Sequence, residues 1–360
     1  MSRKGDAGPA LTCRSRDDRI DVFADLRSRS LKINMLRPPS AVAPPLLFLH
    51  PAMHQWTTRK QVTLDGVGLH SGKPARVTLT PAPESSGIVF HVAGHAEPIP
   101  AAPESVVDSH YATTIGRNGT RIQTVEHLMA ATAGLGIDNL EVEVEGPEIP
   151  AGDGSAKPFV TLLAAAGRAQ QSARRRPVAI PYPIQVGTGG RWIQIVPSDR
   201  FRISYTLDND HPAIGTQVVN CIPTERSFVE EFAPARTYGF LKDLGIMRKN
   251  GLARGGSLDN AVVVGKSGVL NGLRYRDEFV RHKILDLIGD LALLGRPLLG
   301  HVIARNGGHA LNFELVQAIQ RAVGLERRPA GAAARLHLGP RLDAEPRPKS
   351  LVPAPGLALL

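Results

Sequence analysis

The chain predicts an α+β protein built as two similar halves with a cleft between them. Three observations carry this. Short alternating apolar runs and longer helical-period runs follow one another as strands, helix, strand, helix, and that order occurs twice. A length of 360 residues fits about two domains. A composition that is 42% hydrophobic but only 5% aromatic supports cores packed from aliphatic side chains. The halves share no strong sequence repeat, so the likeness is one of pattern.

Residues 1–56 have no sustained period and are rich in Arg, Ser and Pro. They read as a disordered extension, or as sequence upstream of a translation start at Met53. Strands are expected over 60–69, 75–81 and 88–92, the first two joined by a turn at 70–74. Thr124 is placed to cap a helix over 125–134. Leu140, Val142 and Val144 alternate with Glu141, Glu143 and Glu145, which reads as a half-buried strand. A turn-rich loop over 146–156 leads into a helix over 158–166. The polar, basic stretch 170–176 reads as the linker between a first domain, 57–173, and a second, 174–325. In the second, strands are expected over 178–186, 192–197, 201–207, 261–264 and 301–304. Helices are expected over 277–295 and 312–323, and 242–250 reads as a short helix or an insert. Residues 326–360 show no period and read as a disordered tail.

Net charge narrows the function classes. The formal charge of +10 looks like a nucleic-acid signal, but the tails hold most of it. Nine Lys/Arg against five Asp/Glu in 1–56, and six against three in 326–360, leave about +3 for the rest. That middle has no basic stripe with interleaved aromatics, so nucleic acid is not expected as a partner. Two cysteines, one of them Cys13 in the extension, argue against a structural disulfide and for a reducing cytoplasm. No apolar run is long enough to span a bilayer.

The chemistry centres on 277–295. Phe279, Val280, Ile284, Leu287, Ile288, Leu291 and Leu294 form an apolar stripe at helical spacing. His282, Asp286 and Asp290 recur every fourth residue on another face, beside Lys283. An imidazole and a carboxylate one turn apart can reach one divalent ion, and zinc accepts both. Glu126 and His127 open an earlier helix. Either can take the ion while the other serves a water. His309 follows Gly307 and Gly308, where backbone can approach closely. Singly, each feature is ordinary: a loop histidine, a solvated face, an acidic first turn. Together they supply the ligands, base and acid that metal-assisted hydrolysis needs.

The residues also carry a family resemblance. The strings are GVGLHSG at 66–72, TVEHL at 124–128, GLGIDN at 134–139, PEIP at 147–150 with DGSA at 153–156, and HPAI at 211–214. They continue with ARTYGF at 235–240, GGS at 255–257, FVRHK at 279–283 with Asp286 and Asp290, and GHAL at 308–311. In this order over about 57–323, the chain resembles the UDP-3-O-acyl-N-acetylglucosamine deacetylases of Gram-negative bacteria.

The resemblance implies two similar two-layer α/β sandwich domains, packed with helices inward, with the active site in the cleft. It implies a zinc amidase that removes acetate from an acylated UDP-glucosamine, the committed step of lipid A synthesis. Zinc, one per chain, would be held by His127, His282 and Asp286; such a set also accepts Fe2+. Glu126 would be the general base and His309 the general acid, oriented by Asp290. Thr237 would hydrogen-bond the developing oxyanion, and Lys283 would face the substrate. His70, Tyr238 and Asp243, with Leu69, Phe240 and Gly256, would line the sugar-nucleotide site, and Arg305 would meet the pyrophosphate. Residues 245–257 match an insert that forms the acyl-chain passage. The chain departs from the family pattern at Asn209, Asn306, Ala112 and Tyr238, which bears on nucleotide grip and leaves the metal chemistry intact. The expectation is a cytoplasmic monomer acting on a small acylated UDP-sugar, with transient contact to acyl chains or the inner leaflet. The alternative is a catalytically inactive sugar-nucleotide-binding homologue.

Overall fold

The computed structural model describes residues 54–325. Most of the expected extension, with Cys13 and the Met53 start, and the expected tail lie outside the described residues.

In the first half, β1 (Val62–Val67), β2 (Pro74–Pro81), β3 (Ile88–Val92), β4 (Ile99–Pro100) and β5 (Leu140–Glu145) form one sheet. Its order is β1-β2-β5-β3-β4, and only the β3–β5 pair is parallel. The alternation in β5 works as expected. Leu140, Val142 and Val144 are fully buried, while Glu141, Glu143 and Glu145 face away from the core. The helices α1 (Glu126–Gly134) and α2 (Lys157–Ala166) belong to this half.

In the second half, β6 (Ile184–Thr188), β7 (Arg191–Val196), β8 (Phe201–Asn209), β9 (Gly215–Cys221) and β10 (Leu298–Arg305) form a sheet in the order β6-β7-β10-β8-β9. The central β10 runs parallel to β8 and antiparallel to β7. Ile193, Ile195, Ile203, Tyr205, Val302 and Ala304 point inward. Their cover is α3 (Glu278–Ala292) and α4 (His309–Val323).

Each sheet therefore keeps one polar face, and the helices fill the space between: two lobes of α+β sandwich with a central cleft. Helix α1 packs on α3 across the cleft. The approach is close enough to demand glycine. A Cβ at Gly289 would lie 2.1 Å from the Glu126 carbonyl oxygen. Being covered on both sides, α3 buries its His282, Asp286 and Asp290 face as well as its apolar stripe. These residues are not a solvated face.

Several sequence expectations need correction. Residues 168–174 are a strand, not a linker. Arg168–Arg174 pairs antiparallel with His54–Thr58, so 54–56 belong to the fold rather than to the extension. The expected strand over 178–186 is broken into Val178–Ala179 and β6, because Pro181 and Pro183 cannot donate to a ladder. Thr124 does not cap α1. It sits at φ +63, and its hydroxyl donates to Glu148 at 2.8 Å. Helix α4 begins at His309, three residues earlier than expected, so that histidine stands at a helix start. Strand β9 and the ribbon Val106–Asp108, Thr114–Arg117 and Thr120–Ile122 had no sequence expectation.

Candidate metal centre and catalytic cleft

Where α1 meets α3, three side chains converge. One ligand atom each from His127, His282 and Asp286 lies within 4.8 Å of the others. Asp286 Oδ1 is 3.2 Å from His282 Nε2 and 3.6 Å from His127 Nε2. All three residues are buried. The i, i+4 spacing on α3 brings His282 and Asp286 together, and the first turn of α1 adds His127.

The chemistry of this set fits a divalent metal. Asp286 Oδ1 is buried and has no hydrogen-bond partner, which is costly unless something cationic satisfies it. The ring of His282 is held by the Ala235 carbonyl, which accepts from Nδ1 at 3.0 Å. That bond leaves the Nε2 lone pair facing Asp286, the tautomer a metal ligand needs. Burial pushes the His282 pKa down to about 4, so the ring is neutral. Burial acts to raise Asp286, but His282, Lys283 and the other neighbouring cationic groups outweigh it and hold the carboxyl well below its usual range. Neutral imidazoles and a carboxylate are the donor set of zinc and of related divalent ions.

Glu126 and His309 lie beside the cluster. His309 Nε2 is 3.9 Å from Glu126 Oε1 and 3.9 Å from Asp286 Oδ2. Burial raises the Glu126 pKa to about 7, partly offset by His309 and His127. For His309 burial acts downward, but Asp290, Asp286 and Glu126 outweigh it and carry the ring up to about 9. His309 Nδ1 donates to Asp290 Oδ2 at 2.8 Å, so the ring is oriented with Nε2 toward the cluster. A carboxyl that burial lifts toward neutrality and an imidazole that carboxylates keep cationic thus flank one small space.

Of the other expected residues, Lys283 reaches the cluster directly, and the rest are held as follows. Lys283 Nζ lies 3.5 Å from Asp286 Oδ2 and 5.6 Å from the Tyr238 ring centre. Tyr238 meets Phe279 edge-on, with ring centres 4.9 Å apart. Thr237 is anchored by its backbone: its N–H donates to Gly154 and its carbonyl accepts from Val262, both at 2.8 Å. Buried Glu148 accepts from the His70 and Ser71 N–H groups and holds the Leu69–His70 loop. That loop in turn binds 253–255, where Gly255 N–H donates to Leu69 and Ala253 N–H to His70 Nδ1. Phe240 packs edge-on against His211. Asp243 precedes the short helix Leu244–Lys249, and Gly256 lies in the loop beyond it. Arg305 is not free: its guanidinium pairs with Asp208 across β8 and β10. Asn306 adopts φ +48 and accepts from Asp208 N–H, so it has a structural task of its own.

Sequence reasoning missed Thr113, Glu148, Asn312 and Glu278. All four are buried and polar, and each bonds to the machinery above or to the segments that hold it. Only Glu148 carried a signal, inside the PEIP string. A cleft of about 800 Å³ lies elsewhere, lined by Arg174, Arg176, Arg296 and the ends of α1 and α3. It holds no histidine and none of the residues above, so its size does not make it the reaction site.

Inward helices and a buried two-histidine, one-carboxylate cluster, with Glu126 and His309 alongside, are the features of a metal-dependent hydrolase. The chain belongs to the LpxC family, the UDP-3-O-acyl N-acetylglycosamine deacetylases, whose family model matches residues 55–321. It is 46% identical over 300 residues to the UDP-3-O-acyl-N-acetylglucosamine deacetylase of Oleidesulfovibrio alaskensis, covering 78% of this chain and 98% of the relative. Identity to the enzyme of the same name from Myxococcus xanthus is 50% over 270 residues, 74% of this chain and 86% of the relative. For that of an Anaeromyxobacter species it is 48% over 276 residues, 76% and 91%.

Proposed function

We propose that this chain hydrolyses the acetamide of a UDP-3-O-acyl-N-acetylglucosamine, releasing acetate and the free amine, in lipid A synthesis. The observation that carries the proposal is the unpartnered Asp286 Oδ1 between two imidazoles, with Glu126 and His309 beside it. His127, His282 and Asp286 would hold the ion. A bound Zn2+ supplies Lewis acidity, which polarises a carbonyl and makes water nucleophilic near neutral pH.

This chain's residues do the rest. Glu126 takes a proton from the attacking water, and burial has already lifted its pKa into the range where a carboxylate is a useful base. Water oxygen bonds to the carbonyl carbon, and the carbonyl oxygen becomes anionic. The Thr237 hydroxyl donates to that oxygen. The C–N bond then breaks while His309, cationic beside Asp290, delivers a proton to the leaving nitrogen. Lys283, fixed between Asp286 and Tyr238, presents positive charge to an anionic substrate. Acyl-chain binding is supported by the 241–270 region. There Leu241, Ile246, Leu258 and Leu270 are 50%, 64%, 52% and 55% exposed. No described helix is long and apolar enough to cross a membrane.

The test is acetate release from the acylated UDP-sugar by metal-stripped protein, with and without added zinc. Release that needs zinc supports the proposal. A protein that binds zinc and substrate but releases nothing would instead be a sugar-nucleotide binder.

A further inference from the structure

Thr113 comes from the first half of the chain, yet it touches both sides of the catalytic cleft. It is 3% exposed and follows Tyr111, a residue at φ +63, and fully buried Ala112. Its backbone is tied to the start of α1: the carbonyl accepts from Val125 N–H at 3.2 Å. Its N–H donates to Glu126 Oε2 at 3.0 Å. Its hydroxyl donates to Asp290 Oδ1 at 2.5 Å and lies 3.3 Å from His309 Nδ1.

Asp290 is therefore held on both oxygens. Oδ1 accepts from Thr113, and Oδ2 accepts from His309 Nδ1 and Asn312 Nδ2, each at 2.8 Å. A carboxylate bonded only through Oδ2 could turn about its Cβ–Cγ bond and carry the imidazole with it. The Thr113 hydroxyl closes that rotation. The Thr113 N–H likewise fixes one oxygen of Glu126 and leaves Oε1 as the atom toward His309. One residue thus sets the spacing between the group that takes a proton and the group that gives one.

We infer that Thr113 is a positioning residue for the hydrolysis: through Asp290 its hydroxyl fixes the His309 imidazole, and through Glu126 its N–H fixes the base. The inference rests on the function proposed above. Because the N–H belongs to the backbone, side-chain substitution isolates the hydroxyl. Thr113→Val removes it at nearly constant shape, and Thr113→Ser restores it.

The experiment measures kcat and KM of the zinc-loaded full chain for wild type, Thr113→Val, Thr113→Ser, Asp290→Asn and the Thr113→Val/Asp290→Asn double variant. Zinc content and melting temperature are recorded for each. Losing a hydrogen bond to a charged group predicts a kcat lower by about 10- to 100-fold in Thr113→Val, with KM little changed and Thr113→Ser close to wild type. In the double variant the two losses should not add, because Thr113 acts through Asp290. A Thr113→Val kcat within twofold of wild type, or losses that multiply in the double variant, would overturn the inference. The His309 Nδ1 proton, followed by NMR in the metal-free protein, gives a readout independent of turnover. It should shift and exchange faster in Thr113→Val and stay in place in Thr113→Ser. An unchanged proton overturns the inference even if the wild type releases no acetate, and that result would separately defeat the proposed reaction.

Discussion

Two buried carboxylates on one helix, Glu278 at the start of α3 and Asp286 two turns later, solve the same problem in opposite ways. Glu278 is fully satisfied. It accepts from the Arg236 N–H at 3.0 Å, from Arg236 Nε at 2.9 Å and Nη2 at 3.2 Å, and from the Arg274 N–H at 2.5 Å. Asp286 keeps an oxygen that nothing in the described residues satisfies, and its nearest neighbours are the Nε2 atoms of two imidazoles, His282 at 3.2 Å and His127 at 3.6 Å. The first arrangement holds backbone together, and the second is a place for an ion. Burial alone does not separate them. What separates them is whether every polar atom is used. The two regions are also linked, since Arg236 adjoins Ala235, whose carbonyl orients His282.

The largest expected effect falls in the open region. Glu126→Ala should lower kcat by about 100- to 10,000-fold while leaving the melting temperature close to wild type. A matching loss of stability would move Glu126 to the structural class and break the contrast.

Next comes a crossed pair. Glu278→Gln should destabilise the protein by about 3–5 kcal/mol, because it leaves the Arg236 charge buried with less to pair with. It should also weaken zinc by about 10- to 100-fold through the Ala235–His282 link. Asp286→Asn should abolish tight zinc binding without destabilising the metal-free protein, since it removes a charge whose Oδ1 was unsatisfied. Urea unfolding and a competitive zinc titration read both. Equal destabilisation of the two metal-free variants would contradict the comparison.

The regions should also respond differently to pH. Burial raises Glu278, but Arg236 and the backbone N–H groups outweigh it and leave the folded pKa below the unfolded one. Its stabilising share is therefore complete above the unfolded value of about 4.3. It is lost as pH falls through the lower folded value. Urea midpoints of metal-free wild type should fall with acid in that window, and Glu278→Gln should flatten the slope. Activity tracks the other region. In the proposed roles, Glu126 works deprotonated as the base and His309 protonated as the acid. The rate should rise as Glu126 loses its proton, near 7, and fall as His309 loses its proton, near 9. A rate–pH profile that rises monotonically to pH 10 would remove His309 from the role of acid.

The smallest effect belongs to neither region. Arg226 and Glu230 form an i, i+4 pair at 3.1 Å with side chains 85% and 56% exposed. Arg226→Ala should cost no more than about 0.5 kcal/mol in urea unfolding.

How far the sequence could be read follows the same division. His282 and Asp286 were visible because one helix sets their spacing, and the strand alternation of β5 was visible for the same local reason. Glu126 and His127 are adjacent in sequence, but which of them takes the ion depends on α3, which faces them across the cleft. Thr113 and Asp290 are 177 positions apart, and Glu148 and His70 are 78 apart. No period or motif length spans such distances, so the sequence could show Asp290, His70 and Glu148 within their own strings but not that Thr113 meets Asp290 or that Glu148 holds the His70 loop. The linker assigned to 170–176 failed for a related reason. A polar edge strand looks like a linker until its partner, His54–Thr58, is in place. The ion pair of Arg305 with Asp208 on the neighbouring strand was equally beyond the sequence.

The central claim is that the open cluster is a working hydrolytic centre. Its most direct test is acetate release from UDP-3-O-(3-hydroxyacyl)-N-acetylglucosamine by metal-stripped protein, titrated with zinc, beside Glu126→Ala. The account predicts that release saturates at one zinc per chain and collapses in the variant while zinc still binds. Zinc binding with no release from wild type, or release that Glu126→Ala leaves intact, would contradict it.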